Sequence, residues 1–489
     1  MYTGWNFING MMINQSVPHF DAINPANEEV YGQFPISDNE TVCNAVSAAR
    51  AAQPEWARMS RIKRADLFDN LAQLIKRDHE NLRDVISIET GKNLNESHAE
   101  VIEALHMCQT VAAMGRQPFG EVYSSELETK DAYVIRKPRG VVAIISPWNF
   151  PFAIGSFWSA GPALLEGNTV VHKPSELTPM VNDMAWQLYL EAGFPPGVFN
   201  LVHGDGSTGA ALVRSSVDVI LFTGSAEVAQ DIRRHCADCF GKTASIECGS
   251  KSSTILFNDG SHDLALDVCV ASAFKLSGQR CVSSGRIFVQ RDVFEGFKED
   301  FVQRVRDKVH PGDPMADDDA FYGPLISAEH MQRVREYNIL TQTDPDVKVL
   351  IEGLPVNRKG FYLTPHVYQC EWSDKRFLKE EVFGPHVALI PFDDLDDVIA
   401  KYNDTDYGLA LGVITDDFRK HREIVNRCTA GMIYINGGSI AAESHMPFSS
   451  WKKSGYGSSA AATWKAVTHT TAVTVNYERG KVTWAQGMK

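Results

Sequence analysis

In "SGQRCVSSGR", residues 277–286, Cys281 stands among polar residues directly after Arg280. A thiol beside a positive charge loses its proton more readily, and the thiolate is a strong nucleophile. The competing reading is an inert, buried cysteine. "SIECGS" ends an apolar run on Glu247. Partial burial would raise the pKa of that carboxyl and suit it to act as a base, whereas an exposed strand-end glutamate would do neither. "HKPSE" sets Lys173 near Glu176. That pair can bind the hydroxyls and phosphate of a nucleotide, or it can be a solvated ion pair. "FTGSAEVAQ" places Gly224 and Ser225 between a strand and a helix. Amides there favour a phosphate, and a serine there also serves as an ordinary cap. The dinucleotide fingerprint G-x-G-x-x-G is missing. "KEEVFGP" brings Glu380 and Glu381 ahead of Phe383 and reads, by itself, as loop.

These residues need a scaffold, and the periodicities describe one. After a short N-terminal β segment, "SDNETVCNAVSAARAA" opens with capping residues and then spaces Val42, Val46 and Ala49 helically. "RADLFDNLAQLIKRDHENLRDVISIET" continues as amphipathic helix. From "AYVIRKPRGVVAIISPW" onward, strands alternate with helices, as βαβ units and a mostly parallel sheet require. Ligands of such sheets bind beyond the C-terminal strand ends. Asn149, Lys173, Gly224, Ser225 and Glu247 all follow such ends. From about residue 250 the pattern repeats, which reads as a second α/β domain.

Bulk properties narrow the class. The 489 residues carry 47 basic and 61 acidic side chains, a net charge of −14. That balance argues against a nucleic-acid or anionic-membrane surface. "GVVAIISPW" is too short to span a bilayer. The N-terminus lacks a basic start followed by an apolar run, so a cytoplasmic enzyme is expected. Nine scattered cysteines do not make a disulfide framework. Cys236 and Cys239 read as helix positions, and no metal site is expected.

Taken in order, "SPWNFP", "HKPSELTP", "LFTGSAEV", "IECGSKS", "SGQRCV", "KEEVFGP", "NDTDYGLALGV" and "MPFSSWKKSGYG" resemble the aldehyde dehydrogenase superfamily over nearly the whole chain. The resemblance implies an α/β fold with a Rossmann-type cofactor domain (1–120 and 138–249), an α/β catalytic domain (250–449) and a small β oligomerisation element (121–137 and 465–489). It implies Cys281 as nucleophile, Glu247 as general base, and Asn149 with the Cys281 amide as oxyanion hole. Lys173 and Glu176 resemble the adenosine-ribose contacts and Gly224 and Ser225 the pyrophosphate turn. Glu381, Phe383 and Trp148 resemble the nicotinamide end. NAD is the expected cofactor, since Glu176 would repel a 2′-phosphate, and Lys173 leaves NADP open. Phe150, Ile154, Phe157 and Phe448 would line the aldehyde tunnel, with "NGGSIAAESHMPF" at its mouth. The run looks most like dehydrogenases of α-ketoglutarate semialdehyde and related ω-semialdehydes. Arg280, Ser283 and His445 are then the donors for a substrate carboxylate. Unfunctionalised aliphatic or aromatic aldehydes are the alternative. A CoA-acylating enzyme, a cysteine hydrolase and a non-catalytic structural member are the remaining rivals, and the presence of Cys281, Glu247 and Asn149 argues against the last. A homodimer or homotetramer is expected.

The sequence departs from the family pattern in places. Cys248 and Ser250 replace a leucine and a glycine, Ala229 a glycine, and Ser449 and Ser450 two glycines. None removes a catalytic group.

Overall fold

The computed structural model describes residues 1–13, 17–317 and 319–480. Two large sheets organise it. In the first, five strands run parallel in the order Thr243–Glu247, Val219–Thr223, Val141–Ile145, Thr169–Lys173 and Phe199–Leu201. Chain order reverses between Val141–Ile145 and Val219–Thr223. This is the topological switch point, where the loops after neighbouring strands part and leave a crevice. Two antiparallel additions come from far away in sequence. Asn6–Ile8 pairs with Phe199–Leu201, and Gly455–Tyr456 pairs with Ile246 and Glu247. The C-terminal segment therefore braces the strand that carries Glu247.

Four helices cover this sheet, Asn39–Arg58, Arg61–Arg77, His79–Thr90 and Leu94–Met114. Asp38 caps the first by accepting from the Thr41 amide at 2.8 Å. Asn93 and Glu96 form a reciprocal capping box on the last. The apolar faces of the last three join Trp56 of the first in one core around Phe68, Leu71, Phe152 and Phe157, while Val42, Val46 and Ala49 of the first pack in a second core with Val141, Val171 and Ile220. Burial of each such aromatic contributes about 1.5–3 kcal/mol.

The second sheet has six parallel strands, among them Arg286–Gln290, Ser253–Leu256 and Ala410–Ile414, with Lys348–Ile351 antiparallel at one edge. Its central strands are buried almost throughout, as strands covered on both faces are. A separate three-stranded sheet pairs Lys130–Pro138 with both Gly120–Tyr123 and Thr468–Asn476. It joins the two stretches assigned to an oligomerisation element, whose residues 481–489 lie outside the described residues. Cys236 lies inside the helix Ala226–Asp238 and Cys239 caps it, with its sulfur 3.6 Å from His235 Nε2. No helix among the described residues is long and apolar enough to cross a membrane.

Candidate active site

Cys281 is presented by a turn that the chain holds in an unfavourable shape. Leu276 and Ser277, at φ 56° and 55°, both adopt the left-handed conformation, and Gly278 follows at φ 69°. Each non-glycine residue there costs about 1–2 kcal/mol. Gly278 is required twice over, because a side chain would also collide with the Gly384 carbonyl. Four contacts hold the turn. Glu96 accepts from the Leu276 amide at 2.8 Å, and Ser277 donates to the Gly323 carbonyl at 2.7 Å. The Ile326 amide donates to Gln279 Oε1 at 3.0 Å, and Asn149 Nδ2 donates to the Gln279 carbonyl at 3.0 Å. The last bond fixes the Asn149 amide two residues from the thiol.

The loop carrying Asn149 runs into a π-helix, Pro151–Ser159, in which the Ala160 amide bonds the Gly155 carbonyl five residues back. Its first free amides are satisfied by one side chain. Glu100 Oε1 accepts from Phe152 at 2.9 Å and from Ala153 at 3.1 Å. Glu100 also forms a buried ion pair with Lys92, whose ammonium lies 3.9 Å from the centre of the Phe150 ring.

An inner cavity collects Cys281, Glu247, Phe150, Ile154, Phe448 and Arg280, with Glu103 where it opens outward. Glu247 is buried and neither carboxyl oxygen has a hydrogen-bond partner among the described residues. Ser450 and Ser459 approach it and favour its charged form, but neither bonds it and burial prevails, pushing its pKa up to about 8. The Cys281 thiol is pushed up to about 12, by burial first and then by the Glu381 and Glu247 carboxylates. Arg280 acts in the expected direction on the thiol, but these effects outweigh it. The resting thiol is therefore protonated, contrary to the reading of Arg280 as its activator.

The other expected residues divide between two ends. Lys173 is buried, with Nζ donating to the Pro174 carbonyl at 2.8 Å and to Glu176 at 3.3 Å. Ser225 is exposed and caps the helix Ala226–Asp238 through the Val228 amide, with Gly224 just before it. On the far side of Cys281, Glu381 accepts from the Ser250 amide at 2.6 Å, and burial pushes its pKa up to about 7. Trp148 and Phe383 meet edge to face at 5.4 Å. These groups fit a dinucleotide: hydroxyl acceptors at the Lys173 end, an open helix N-terminus between, and an aromatic, acid-bearing pocket beside the thiol.

Three expectations fail. Phe157 does not line the cavity. It is wholly buried, stacked on Tyr189 and tilted against Phe152, and Trp158 lines the cavity in its place. Residues 150, 154 and 157 share a face only at α-helical spacing, and the wider π turn brings Trp158 round instead. Ser283 lies in a turn closed by its amide on the Arg280 carbonyl at 3.0 Å, and it faces the pocket of Glu381 and Phe383. His445 is exposed in an outer cleft and pairs with Glu443 at 3.5 Å.

Of the departures from the family pattern, Ser250 donates to the Cys281 carbonyl and contacts Ser252 at 2.7 Å, so it braces the nucleophile's backbone. Cys248 is buried and its thiol is pushed up to about 12, chiefly by burial, which leaves it unreactive. Ala229 packs into the core beneath its helix.

Sequence reading missed Glu96, Glu100 and Glu103. Their i, i+4, i+7 spacing on one amphipathic helix was the available signal, because it sets three carboxylates on one face. It also missed His330, which contacts the Phe383 carbonyl at 2.7 Å and rings with Trp148 and Phe383. No short-range pattern marks it.

The family model "Aldehyde dehydrogenase family" matches residues 12–474. The fold is similar to that of betaine aldehyde dehydrogenase from Staphylococcus aureus in complex with NAD+, at 28% identity and TM-score 0.93, covering 99% of this chain and 97% of that one. It is also similar to an NADP-dependent enzyme of E. coli, at 31% identity and TM-score 0.93, covering 97% and 98%. The motifs, the switch-point crevice and the match over almost the whole length agree: the chain belongs to the aldehyde dehydrogenase family.

Proposed function

We propose that the protein oxidises an ω-semialdehyde to the acid with NAD, through a thioester on Cys281. The observation that carries the chemistry is the shared cavity of Cys281 and Glu247, one thiol and one carboxyl tuned toward neutral pH. Glu247 takes the thiol proton as Cys281 attacks the aldehyde carbon. The oxygen gains charge, and Asn149 Nδ2 with the Cys281 amide donates to it. Losing one such donor typically costs about 3 kcal/mol. The bound nicotinamide supplies a hydride acceptor. Once Glu247 has released that proton to solvent, its carboxylate takes a proton from water; the hydroxide attacks the thioester carbon, the Cys281 thiolate leaves, and the acid is freed. Lys173, Glu176 and Ser225 hold the adenosine and pyrophosphate end, and Glu381, Phe383 and Trp148 the nicotinamide end. Glu176 favours NAD, as the cofactor of the Staphylococcus aureus relative does, and Lys173 leaves NADP usable.

A carboxylate on the substrate is favoured by Arg280. It reaches over the Phe150 ring at 4.9 Å, and its Nε is buried with no partner among the described residues. A cationic aldehyde is the second reading, favoured by Glu103 at the same cavity and by the betaine aldehyde dehydrogenase likeness. NADH formation decides between them, measured across succinic, glutaric and α-ketoglutaric semialdehydes, betaine aldehyde, hexanal and benzaldehyde. A semialdehyde leading in kcat/KM supports the proposal, and neutral aldehydes matching it defeat the carboxylate anchor. Pairing of the Lys130–Pro138 sheet with a second copy would form a homodimer or homotetramer, which sedimentation would reveal.

A further inference from the structure

Cys236 and Cys239 read from sequence as plain helix positions, but the structure gives them neighbours that a thiol used only for packing does not need. Five of the nine cysteines are buried. Cys236 and Cys239 are half-buried at the C-terminal end of the helix Ala226–Asp238, among the exposed residues Arg234, Asp238 and Phe240. No other two cysteines stand so close in the sequence. The Cys239 amide donates to the Cys236 carbonyl at 3.2 Å, which closes a 3₁₀ turn. In such a turn residues i and i+3 eclipse, so one side chain stands over the other. Three residues of the turn rise about 6 Å, within the span of about 4.4–6.8 Å that a disulfide bridges between Cα atoms.

Two further groups act on the pair. The Cys239 sulfur lies 3.6 Å from His235 Nε2, so the imidazole can take the thiol proton. Lys242 is fixed by donating to the Val213 and Ser215 carbonyls at 2.8 and 2.7 Å, and both sulfurs act on its charge. A cation there offsets the carbonyl dipoles of a helix C-terminus, which disfavour a thiolate. Burial holds the Cys236 thiol up, against the pull of Lys242. The two sulfurs therefore differ: Cys239 is set to attack and Cys236 to resolve. We infer that Cys236 and Cys239 form a redox-active dithiol site, separate from the nucleophile, that hydrogen peroxide closes to a disulfide. His235 takes the Cys239 proton, and the thiolate attacks one peroxide oxygen. The O–O bond breaks, the leaving hydroxide takes the proton from His235 to become water, and Cys239 becomes a sulfenic acid. The Cys236 sulfur then attacks the Cys239 sulfur. The S–S bond forms, the S–O bond breaks, and the Cys236 proton leaves with the hydroxyl as a second water. The two thiols lose two electrons, which the peroxide gains. None of these groups lines the cavity of Cys281, so the site does not depend on the function proposed above.

The test follows one peptide. Trypsin cleaves after Arg234 and Lys242, so both cysteines leave together in His235–Lys242. The reduced protein is exposed to hydrogen peroxide, remaining thiols are blocked with iodoacetamide, and that peptide is weighed. It should lose the mass of two hydrogen atoms and take no label, and dithiothreitol should restore both thiols. Closure should be about tenfold faster in the folded protein than in the same chain held in urea, because the turn presents one sulfur to the other. Cys236→Ser should stop at the sulfenic acid, which dimedone traps on Cys239. His235→Gln should slow closure about fivefold. A wild-type peptide that keeps both thiols while glutathione in the same tube is oxidised overturns the site. So does a peptide that gains oxygen without losing hydrogen, or closure no faster than in urea. These three readings use the wild-type protein alone, so a variant that fails to fold leaves the test intact.

Discussion

At the inner end of the cavity, Cys281, Asn149 and Phe150 stand on backbone held by buried groups, namely Glu96, Glu100 and Lys92. At the outer end, Glu443 and His445 rest on an exposed pair over a wide cleft. A buried ion pair that also caps backbone amides fixes geometry, because breaking it leaves an uncompensated charge. An exposed pair contributes little and leaves its side chains free to rearrange. The inner end therefore carries what must be placed to within a fraction of an ångström, and the outer end carries what can vary with substrate.

The contrast predicts a gradient of mutational effects running outward from the sulfur. Cys281→Ala removes the nucleophile, so aldehyde-dependent NADH formation should fall by about 10⁴-fold or more. Near-wild-type turnover would end the thioester mechanism. Glu247→Gln should slow the first equivalent of NADH and lower steady-state turnover by about a thousandfold, because the base for both thiol deprotonation and hydrolysis is gone. The sign with pH follows from the same carboxyl. Its pKa is pushed up to about 8 by burial, so the basic form and the steady-state rate should both increase as pH rises through that value. Glu247→Gln should lose that rising limb. Rapid-mixing absorbance gives the first equivalent, and a pH profile gives the limb.

Asn149→Ala should reduce kcat by about a hundredfold with little change in NAD affinity. A loss confined to KM would mean that Asn149 binds ground-state aldehyde rather than the oxyanion.

How far this gradient could be read from sequence depends on what holds each residue. Cys281, Glu247, Asn149, Lys173 and Glu381 sit where a strand or turn ends, and a local motif marks each one. The parallel sheets were equally legible, because buried parallel strands leave long apolar runs. The register of Pro151–Ser159 was not. A π-helix differs from an α-helix by one residue per turn, and "PFAIGSFWSA" is apolar on every side. What selects the π form here includes Glu100, contributed by a helix some fifty residues earlier in the chain. The thiol's protonation was illegible for a similar reason. Arg280 is adjacent in sequence, whereas Glu247 and Glu381 reach Cys281 only through the fold.

Trp158 and Phe157 turn that lesson into a pair of opposite outcomes. Phe157→Ala should cost about 3–5 kcal/mol of stability, as loss of a wholly buried aromatic does, and leave the aldehyde ranking intact. Trp158→Ala should change KM several-fold for bulky aldehydes at a smaller cost in stability, since Trp158 faces the cavity. Denaturant unfolding and a two-aldehyde KM comparison separate the two. The reverse pattern would restore α-helical spacing to this segment.

The smallest effect belongs to the mouth. His445 is exposed, and its recorded partner is the equally exposed Glu443. A donor in that position is screened by water and salt, so it adds little to the capture of a carboxylate. His445→Ala should change kcat/KM for a semialdehyde by no more than about twofold at physiological ionic strength. A larger fall that vanished at high salt would mean that the outer cleft steers charged aldehydes inward. The anchor would then begin at the surface rather than at Arg280, and the two ends of the cavity would differ in rigidity but not in function.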